Sequence, residues 1–195
     1  MWAGVDVGGR RKGFHVALLD EAWAVTLGRA PSVDRCVDVV GGAVVVGVDA
    51  PAAWADPGER SRACERAFAA AGVCGIRPTP DAAAAAARTD RYYEWIERGL
   101  ELWAALRATG VCAVECFPTA SWTRWGGRRG RTGRGAWSRA GLAALGLEGD
   151  RPANQDERDA VAAAVTAWQS DRRPSSVERF GDLVVPRPGP PARGR

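Results

Sequence analysis

The sequence predicts an α/β fold with a five-stranded mixed sheet that carries helices on both faces. Three apolar runs, at residues 2–7, 13–19 and 22–27, are separated by short polar breaks, which is typical of a three-strand antiparallel meander. Two further runs, at 43–48 and 111–117, have the near-continuous apolar composition of parallel strands buried on both faces. Helical segments separate these later strands, so the order β-β-β-α-β-α-α-β-α-α requires right-handed crossovers.

Five helices are predicted from apolar residues at helical spacing and from the signals at their ends. Ser32 is a candidate N-cap for the first helix. Asn154 and Glu157 form an N-x-x-E capping pattern at the start of the last one. Four of the predicted helices occupy residues 33–40, 59–71, 138–145 and 155–169. The remaining one, which lies third along the chain, has an apolar stripe over residues 92–106.

The chain length of 195 residues fits one domain, which we place at residues 1–185, followed by a flexible Pro/Arg-rich tail at 186–195. No apolar run approaches the roughly 18 residues that span a bilayer, and the first residues lack the features of an export signal. We therefore expect a soluble, cytoplasmic protein without a membrane partner. Five cysteines without a CxxC pair argue against a disulfide framework or structural zinc. The single histidine, His15, is interpreted as a packed or edge residue of the second strand.

Basic residues are concentrated in two parts of the chain. The net charge is +4, from 27 basic and 23 acidic residues. No acidic residue lies between Glu115 and Glu148, where six arginines occur, and the tail contributes three more. The rest of the chain therefore has 18 basic and 23 acidic residues. An acidic body with a basic segment and a basic tail favours a polyanion bound beside a carboxylate site.

Five acidic side chains lie where they can act together. Asp6 and Asp49 end predicted strands, Glu115 lies within another, and Asp156 and Asp159 are one turn apart on the last helix. The ends of neighbouring parallel strands meet in one crevice of an open α/β sheet. Gathered carboxylates repel one another, and a divalent cation relieves the repulsion. Oxygen ligands favour Mg²⁺ or Mn²⁺, although each acid taken alone could equally be a helix cap or dipole partner.

Six segments of the chain, taken in order, resemble the domain of unknown function 429 (DUF429) family, whose members are predicted nucleases of RNase H-like fold. The resemblance spans about residues 3–186. It implies an RNase H-like five-stranded sheet with site acids at Asp6, Asp49 and Asp159, and Glu115 matches the family's glutamate before Phe-Pro. The segments are GVDVG at 4–8, VGVDAP at 46–51, RACE at 62–65, IRPTP at 76–80, VECFPTASW at 114–122 and the stretch 154–168.

The stretch at residues 122–139 combines arginines with tryptophans and glycines. Arginines contact phosphates, tryptophans stack on unpaired bases, and glycines let a loop adapt to its ligand. The alternative is a solvated loop whose tryptophans pack on the body. Arg62 and Glu65 are interpreted as a surface ion pair, and the alternatives are a metal ligand for Glu65 and a phosphate contact for Arg62. The residues predicted to bind nucleic acid are Arg124, Arg128, Arg129, Arg131, Arg134, Trp122 and Trp125.

These residues favour a metal-dependent nuclease that acts on DNA or RNA. Two ions about 4 Å apart can activate a water and stabilise the leaving oxygen in phosphodiester cleavage. The alternatives are a sugar-kinase-like or ATPase relative, suggested by the glycines after Asp6, and a non-catalytic nucleic-acid-binding protein. The predicted catalytic residues are Asp6, Asp49, Glu115 and Asp159, and the predicted metal ligands are Asp6, Asp49, Asp156 and Asp159.

Overall fold

The computed structural model describes residues 1–191, which contain eight strands and seven α-helices. The strands are β1 (Trp2–Val7), β2 (Phe14–Leu19), β3 (Ala24–Ala30), β4 (Val46–Asp49), β5 (Ala113–Cys116), β6 (Glu148–Gly149), β7 (Val177–Phe180) and β8 (Leu183–Pro186). The helices are α1 (Val33–Val40), α2 (Ala63–Ala70), α3 (Ala82–Ala86), α4 (Glu94–Ala108), α5 (Pro118–Gly126), α6 (Arg134–Leu145) and α7 (Gln155–Arg172).

All eight strands form one mixed sheet in the spatial order β6-β3-β2-β1-β4-β5-β8-β7. The first three strands form the predicted antiparallel meander, and β4 and β5 extend it in parallel from β1. The mixed α/β class is therefore confirmed. The predicted count of five strands is wrong, because β6 extends one edge of the sheet and the β7–β8 hairpin extends the other.

The β7–β8 hairpin has a local sequence signal, whereas β6 has none. Gly181 and Asp182 form a two-residue connection between Phe180 and Leu183, and Gly181 lies in the left-handed region at φ 59°. A glycine-containing pair between two apolar runs is typical of a tight hairpin. Strand β6 has only two residues, which pair with the start of β3, so only the tertiary structure creates it.

The arginine-rich segment is mostly helical, which corrects the prediction of a loop. Pro118 occupies the first turn of α5, where its missing N–H is not needed. Helix α6 starts at Arg134, four residues before the predicted start, so residues 127–133 alone form the loop. Helix α2 begins later than predicted, because the Glu59 N–H closes a turn on the Asp56 carbonyl at 2.9 Å.

The start of the predicted flexible tail is held against the body. Pro186 is the last residue of β8. The Arg187 N–H donates to the Ser176 carbonyl at 2.8 Å, and the Gly189 N–H donates to the Arg124 carbonyl at 2.9 Å. The prediction of flexibility from residue 186 is therefore wrong at its start, and residues 192–195 lie outside the described residues.

Helices cover both faces of the sheet, as predicted. Helices α5, α6 and α7 pack on one face around Trp122 and Val165, and α1 and α4 pack on the other around Cys36 and Leu102. The five cysteines are free, and Cys112 is exposed. Among residues 1–191, every helix is too short or too polar to cross a bilayer.

Candidate metal and active site

Two glycines allow α7 to lie directly against the centre of the sheet. A Cβ atom on Gly4 would lie 2.0 Å from the Ala160 carbonyl oxygen, and one on Gly47 would lie 2.3 Å from the Ala163 carbonyl oxygen. Any larger residue at either position would push α7 away from β1 and β4. Asp159 precedes Ala160 in α7, so this close packing brings its side chain to the carboxyl ends of these two strands.

Asp6 and Asp49 lie side by side, because they are register partners on the parallel strands β1 and β4. Side chains alternate along a strand, which directs both toward the face that α7 covers. Burial raises the pKa of Asp6, and the charges of Asp159 and Asp156 raise it further. Burial also raises the pKa of Asp49, followed by the charges of Asp6 and Asp159. The structure therefore brings these four predicted acids into one interacting group.

The carboxylate of Asp159 is held in place by three donors. Its Oδ2 accepts from Arg134 Nη2 at 2.8 Å, and its Oδ1 accepts from Trp122 Nε1 at 3.0 Å and Gln155 Nε2 at 2.8 Å. Arg158 Nη2 in turn donates to Gln155 Oε1 at 3.2 Å. Burial raises the pKa of Asp159 in spite of these partners. Trp122, Arg134 and Gln155 therefore fix the orientation of this one carboxylate.

Among the described residues, Asp6, His15 and Asp156 form a group of possible metal ligands, whose ligand atoms all lie within 4.8 Å of one another. His15 pairs in register with Asp6 across β1 and β2. Its Nδ1 lies 4.0 Å from Asp6 Oδ2 and 4.0 Å from Asp156 Oδ2, and it is buried without a hydrogen-bond partner. Lys12 Nζ contacts Asp156 Oδ2 at 2.7 Å. Asp6, His15 and Asp156 could hold a metal ion.

Glu115 differs from the other predicted site acids, because it lies on the other face of the sheet and pairs there with a buried arginine. Its register partner is Val48 rather than Asp49, so alternation along β5 directs its side chain to the opposite face of the sheet. Its oxygens accept from Arg62 Nη1 at 2.7 Å, from Arg62 Nη2 at 2.5 Å and from the Ala52 N–H at 2.8 Å. The structure therefore gives Glu115 a positioning contact with the segment after Asp49.

The prediction of a surface ion pair between Arg62 and Glu65 is wrong, since both side chains are buried. Glu65 accepts from Arg62 Nε at 2.9 Å, from the Thr79 N–H at 2.8 Å and from the Thr79 hydroxyl at 2.6 Å. Together with Glu115, these residues tie α2 and the segment at 76–80 to the sheet. Buried charges remain stable in proteins when they are paired and hydrogen-bonded in this way.

A cleft of about 1130 Å³ opens beside Asp49. Arg128, Arg129 and Arg134, three of the five arginines predicted to bind nucleic acid, line it. Arg124 instead pairs with Glu178 at 2.5 Å, and Arg131 is exposed on the loop. Further arginines come from segments that the prediction did not include. Among residues 1–191, the arginines that line the cleft are Arg62, Arg77, Arg88, Arg128, Arg129 and Arg134.

The interpretation of Trp122 and Trp125 as stacking surfaces for bases is wrong in this structure. Trp122 is 1% exposed and packs edge-on against Trp125, which is also buried. Both rings belong to the core between α5 and α7, so neither offers a face to a ligand. Trp122 contributes to the site in another way, as the donor to Asp159.

Sequence reasoning missed three residues of the site. His15 was assigned to packing, although its position opposite Asp6 could be found from the meander register. Gln155 lies four residues before Asp159, which is the spacing at which helix neighbours meet, and it donates to that carboxylate. Lys12, the chain's single lysine, contacts Asp156 from the turn between β1 and β2, and nothing in its local sequence indicates this.

Comparison with known proteins identifies one family. The family model described as "Protein of unknown function (DUF429)" matches residues 4–182, which is most of the chain. No curated protein and no solved structure matches the chain.

Proposed function

The chain belongs to the DUF429 family, and we propose that it is a metal-dependent nuclease that hydrolyses phosphodiester bonds of DNA or RNA. One observation carries the proposal: carboxylates from one strand and one helix flank an unpartnered histidine nitrogen, and the neighbouring Asp49 lines an arginine-rich cleft. Such crevices at the carboxyl ends of strands are where open α/β sheets bind ligands. The central order β3-β2-β1-β4-β5, a meander followed by parallel strands, supports an RNase H-like fold.

Asp6, His15 and Asp156 fit a divalent cation by the chemistry of their donors. Buried polar atoms normally have a partner, and the unpartnered Nδ1 of His15 faces two carboxylate oxygens. The three ligand atoms lie within 4.8 Å of one another, so small rotations of these side chains would bring all three onto one divalent ion. We propose Mg²⁺ or Mn²⁺, with Mn²⁺ the better match for a site that includes an imidazole.

Asp6 is the residue that connects the two halves of the proposed site. It belongs to the group with His15 and Asp156, and it also neighbours Asp49 in register and interacts with Asp159. Bound divalent ions would supply Lewis-acid activation of a water and of the scissile phosphate. The acids would hold that charge in place, while Trp122 and Gln155 fix the orientation of Asp159.

Arg134 has two proposed roles that depend on what is bound. Without a ligand it donates to Asp159 and offsets the repulsion among the acids. Its side chain is half exposed and lines the cleft, so it can also reach a phosphate of a bound strand. Arg128 and Arg129 line the same cleft, and arginine forks suit phosphate oxygens. Together they would hold the backbone beside Asp49.

The proposal is tested with purified full-length protein and labelled single-stranded, duplex, branched and DNA–RNA hybrid substrates. Each substrate is incubated with Mg²⁺, with Mn²⁺ and with a chelator. We expect cleavage of at least one substrate with either ion, none with the chelator, and loss of cleavage in the Asp6→Asn variant. Asp38→Asn is the matched control, because Asp38 is an exposed acid on α1.

Two results would overturn the proposal. One is the absence of cleavage for every substrate with both ions, in protein whose folding has been verified by circular dichroism. The other is cleavage by Asp6→Asn at the wild-type rate, which would assign the activity to a contaminant or to another site.

A further inference from the structure

One side of the cleft carries an aromatic group that the proposed catalytic acids do not use. Of the nine tryptophans, two tyrosines and four phenylalanines, all within the described residues, Tyr92 alone is exposed. Its relative exposure is 41%. Tyr92 and Tyr93 line the cleft together with Arg77 and Arg88. We call these four residues the aromatic rim.

The ring of Tyr92 is exposed but held in place. Arg77 Nη1 donates to its hydroxyl at 2.7 Å. The Arg88 guanidinium lies over the ring, 4.8 Å from its centroid, and Tyr93 meets it edge-on at 4.9 Å. The Tyr92 N–H donates to Asp90 Oδ1 at 3.1 Å, and the same oxygen accepts from Arg88 Nε at 3.0 Å.

The backbone before Tyr92 adds a further constraint. Arg91 has φ 54°, in the left-handed region that residues other than glycine rarely adopt. Tyr93 packs edge-on against Trp54, with the two ring centroids 6.3 Å apart. A ring that is fixed by cations and neighbours while it contributes little to the core is organised for contact with a ligand.

The aromatic rim shares the cleft with phosphate-binding chemistry and with a site acid. Arg128, Arg129 and Arg134 line the same cleft as Tyr92, and Asp49 does too. A ligand that fits this combination has repeated negative charges and flat aromatic groups. A nucleic-acid strand with unpaired bases has both, whereas a duplex has its base faces stacked inside and offers only phosphates to the rim.

We propose that the aromatic rim binds an unpaired nucleobase by stacking on Tyr92, and that the protein thereby selects single-stranded segments of nucleic acid. This inference deepens the proposed nuclease function and rests on it for the identity of the bound strand. It replaces the tryptophans of α5 with a tyrosine of another segment as the stacking surface. The arginines hold the backbone without regard to pairing, and Tyr92 distinguishes unpaired from paired bases.

The test measures binding rather than cleavage, with a chelator present so that no substrate is consumed. Fluorescence anisotropy compares wild type with Tyr92→Ala on a labelled 12-nucleotide strand, as DNA and as RNA, on the same strand with abasic sites, and on a duplex of equal length. Loss of one base–aromatic stack corresponds to about a 10-fold change in affinity. We expect Tyr92→Ala to weaken binding of the single strand by about this factor and to leave the abasic strand and the duplex unchanged.

Two variants control the comparison. Tyr92→Phe keeps the ring and is expected to bind the single strand nearly as wild type does. Arg35→Ala removes an exposed arginine of α1 that is paired with Asp38. This pair resembles the exposed Arg88–Asp90 pair of the aromatic rim, and its loss is expected to leave the affinity for every strand unchanged. Both can be verified as folded by circular dichroism, since Tyr92 and Arg35 are exposed.

The outcomes separate this inference from the nuclease proposal. Equal weakening of the abasic strand or the duplex by Tyr92→Ala, or no weakening of the single strand, overturns the inference even if the protein cleaves nucleic acid. The expected pattern supports the inference even if no substrate is cleaved, and the protein would then be a single-strand-binding protein rather than a nuclease.

Discussion

Asp49 lies at the end of β4, where its carboxylate interacts with those of Asp6 and Asp159. Without a bound cation, the repulsion among these carboxylates destabilises the folded chain. Burial and the charges of Asp6 and Asp159 raise the pKa of Asp49 above the ordinary value of 3.8. A carboxyl whose pKa is higher in the folded chain binds more protons when folded, over the range between the two pKa values. The free energy of unfolding contributed by Asp49 therefore falls as pH rises through that range.

The Asp49→Asn variant is accordingly expected to be more stable than wild type at pH 7 in the presence of a chelator. The amide removes the repulsion, and for a chain of this size each 1 kcal/mol gained raises the melting temperature by about 2–4 °C. Thermal unfolding followed by circular dichroism between pH 4 and pH 8 measures this, and the difference from wild type should grow with pH. Asp38→Asn, at an exposed position, should show no such trend. A lower melting temperature for Asp49→Asn at every pH would contradict the account.

At this scale the sequence predicts acids better than it predicts their partners. Asp6 and Asp49 end apolar strands, and a charge at that place in the pattern is visible without a structure. His15 and Tyr92 have no such local signal, because the place of His15 follows from the register of β1 with β2 and that of Tyr92 from a cleft formed by distant segments. The pairing of Glu115 with Arg62 joins residues 53 positions apart, and nothing local indicates it.

Helix α7 is the element on which the site depends, because Gly4 and Gly47 let it approach the sheet. A methyl group on Gly47 would lie 2.3 Å from the Ala163 carbonyl oxygen, which is backbone and cannot rotate away. Helix α7 would then have to shift, and with it Asp159.

We expect Gly47→Ala to lower the free energy of unfolding by about 1–3 kcal/mol or more, as overpacked cores do. Gly28→Ala is the matched control, since Gly28 also lies in a strand but no atom lies within 4 Å of the Cβ it would gain. Urea unfolding of both variants measures the difference. Equal stability of Gly47→Ala and Gly28→Ala would show that α7 does not pack as closely as described.

Elements with a strong periodic pattern could be predicted, and those created by tertiary pairing could not. The end signals of α1 and α7 place both helices correctly at their starts, where Ser32 and Asn154 accept from the backbone of the first turn. Strand β6 exists because β3 offers it a partner. Helix α5 escaped prediction because it leads into the arginine- and glycine-rich stretch that resembles a loop, although Pro118 marks its first turn.

At the scale of the whole molecule, a buried ion network joins the cleft wall to the sheet. Arg62 precedes α2 and links Glu65 of that helix to Glu115 of β5, so its removal would leave both carboxylates buried without a cation. The distribution of charge along the sequence indicated a polyanion beside a carboxylate site, but it did not indicate that Arg62 serves the acids rather than a ligand.

The Arg62→Leu variant is expected to lose about 3–5 kcal/mol of unfolding free energy, which is the range observed when one partner of a buried ion pair is removed. Arg35→Leu breaks an exposed pair with Asp38 and is expected to cost at most about 1 kcal/mol. Urea unfolding of the two variants under one set of conditions provides the comparison. A loss for Arg62→Leu no larger than that for Arg35→Leu would mean that the network does not hold the cleft wall.

The central claim is that Asp6, His15 and Asp156 form a divalent-cation site, and calorimetric titration of the metal-free protein with Mn²⁺ tests it most directly. We expect saturable binding by wild type and by the control Asp38→Asn, weaker binding by His15→Gln, and no detectable binding by Asp6→Asn. Wild-type protein that binds no Mn²⁺ at millimolar concentration, or an Asp6→Asn variant that binds it as wild type does, would contradict the claim.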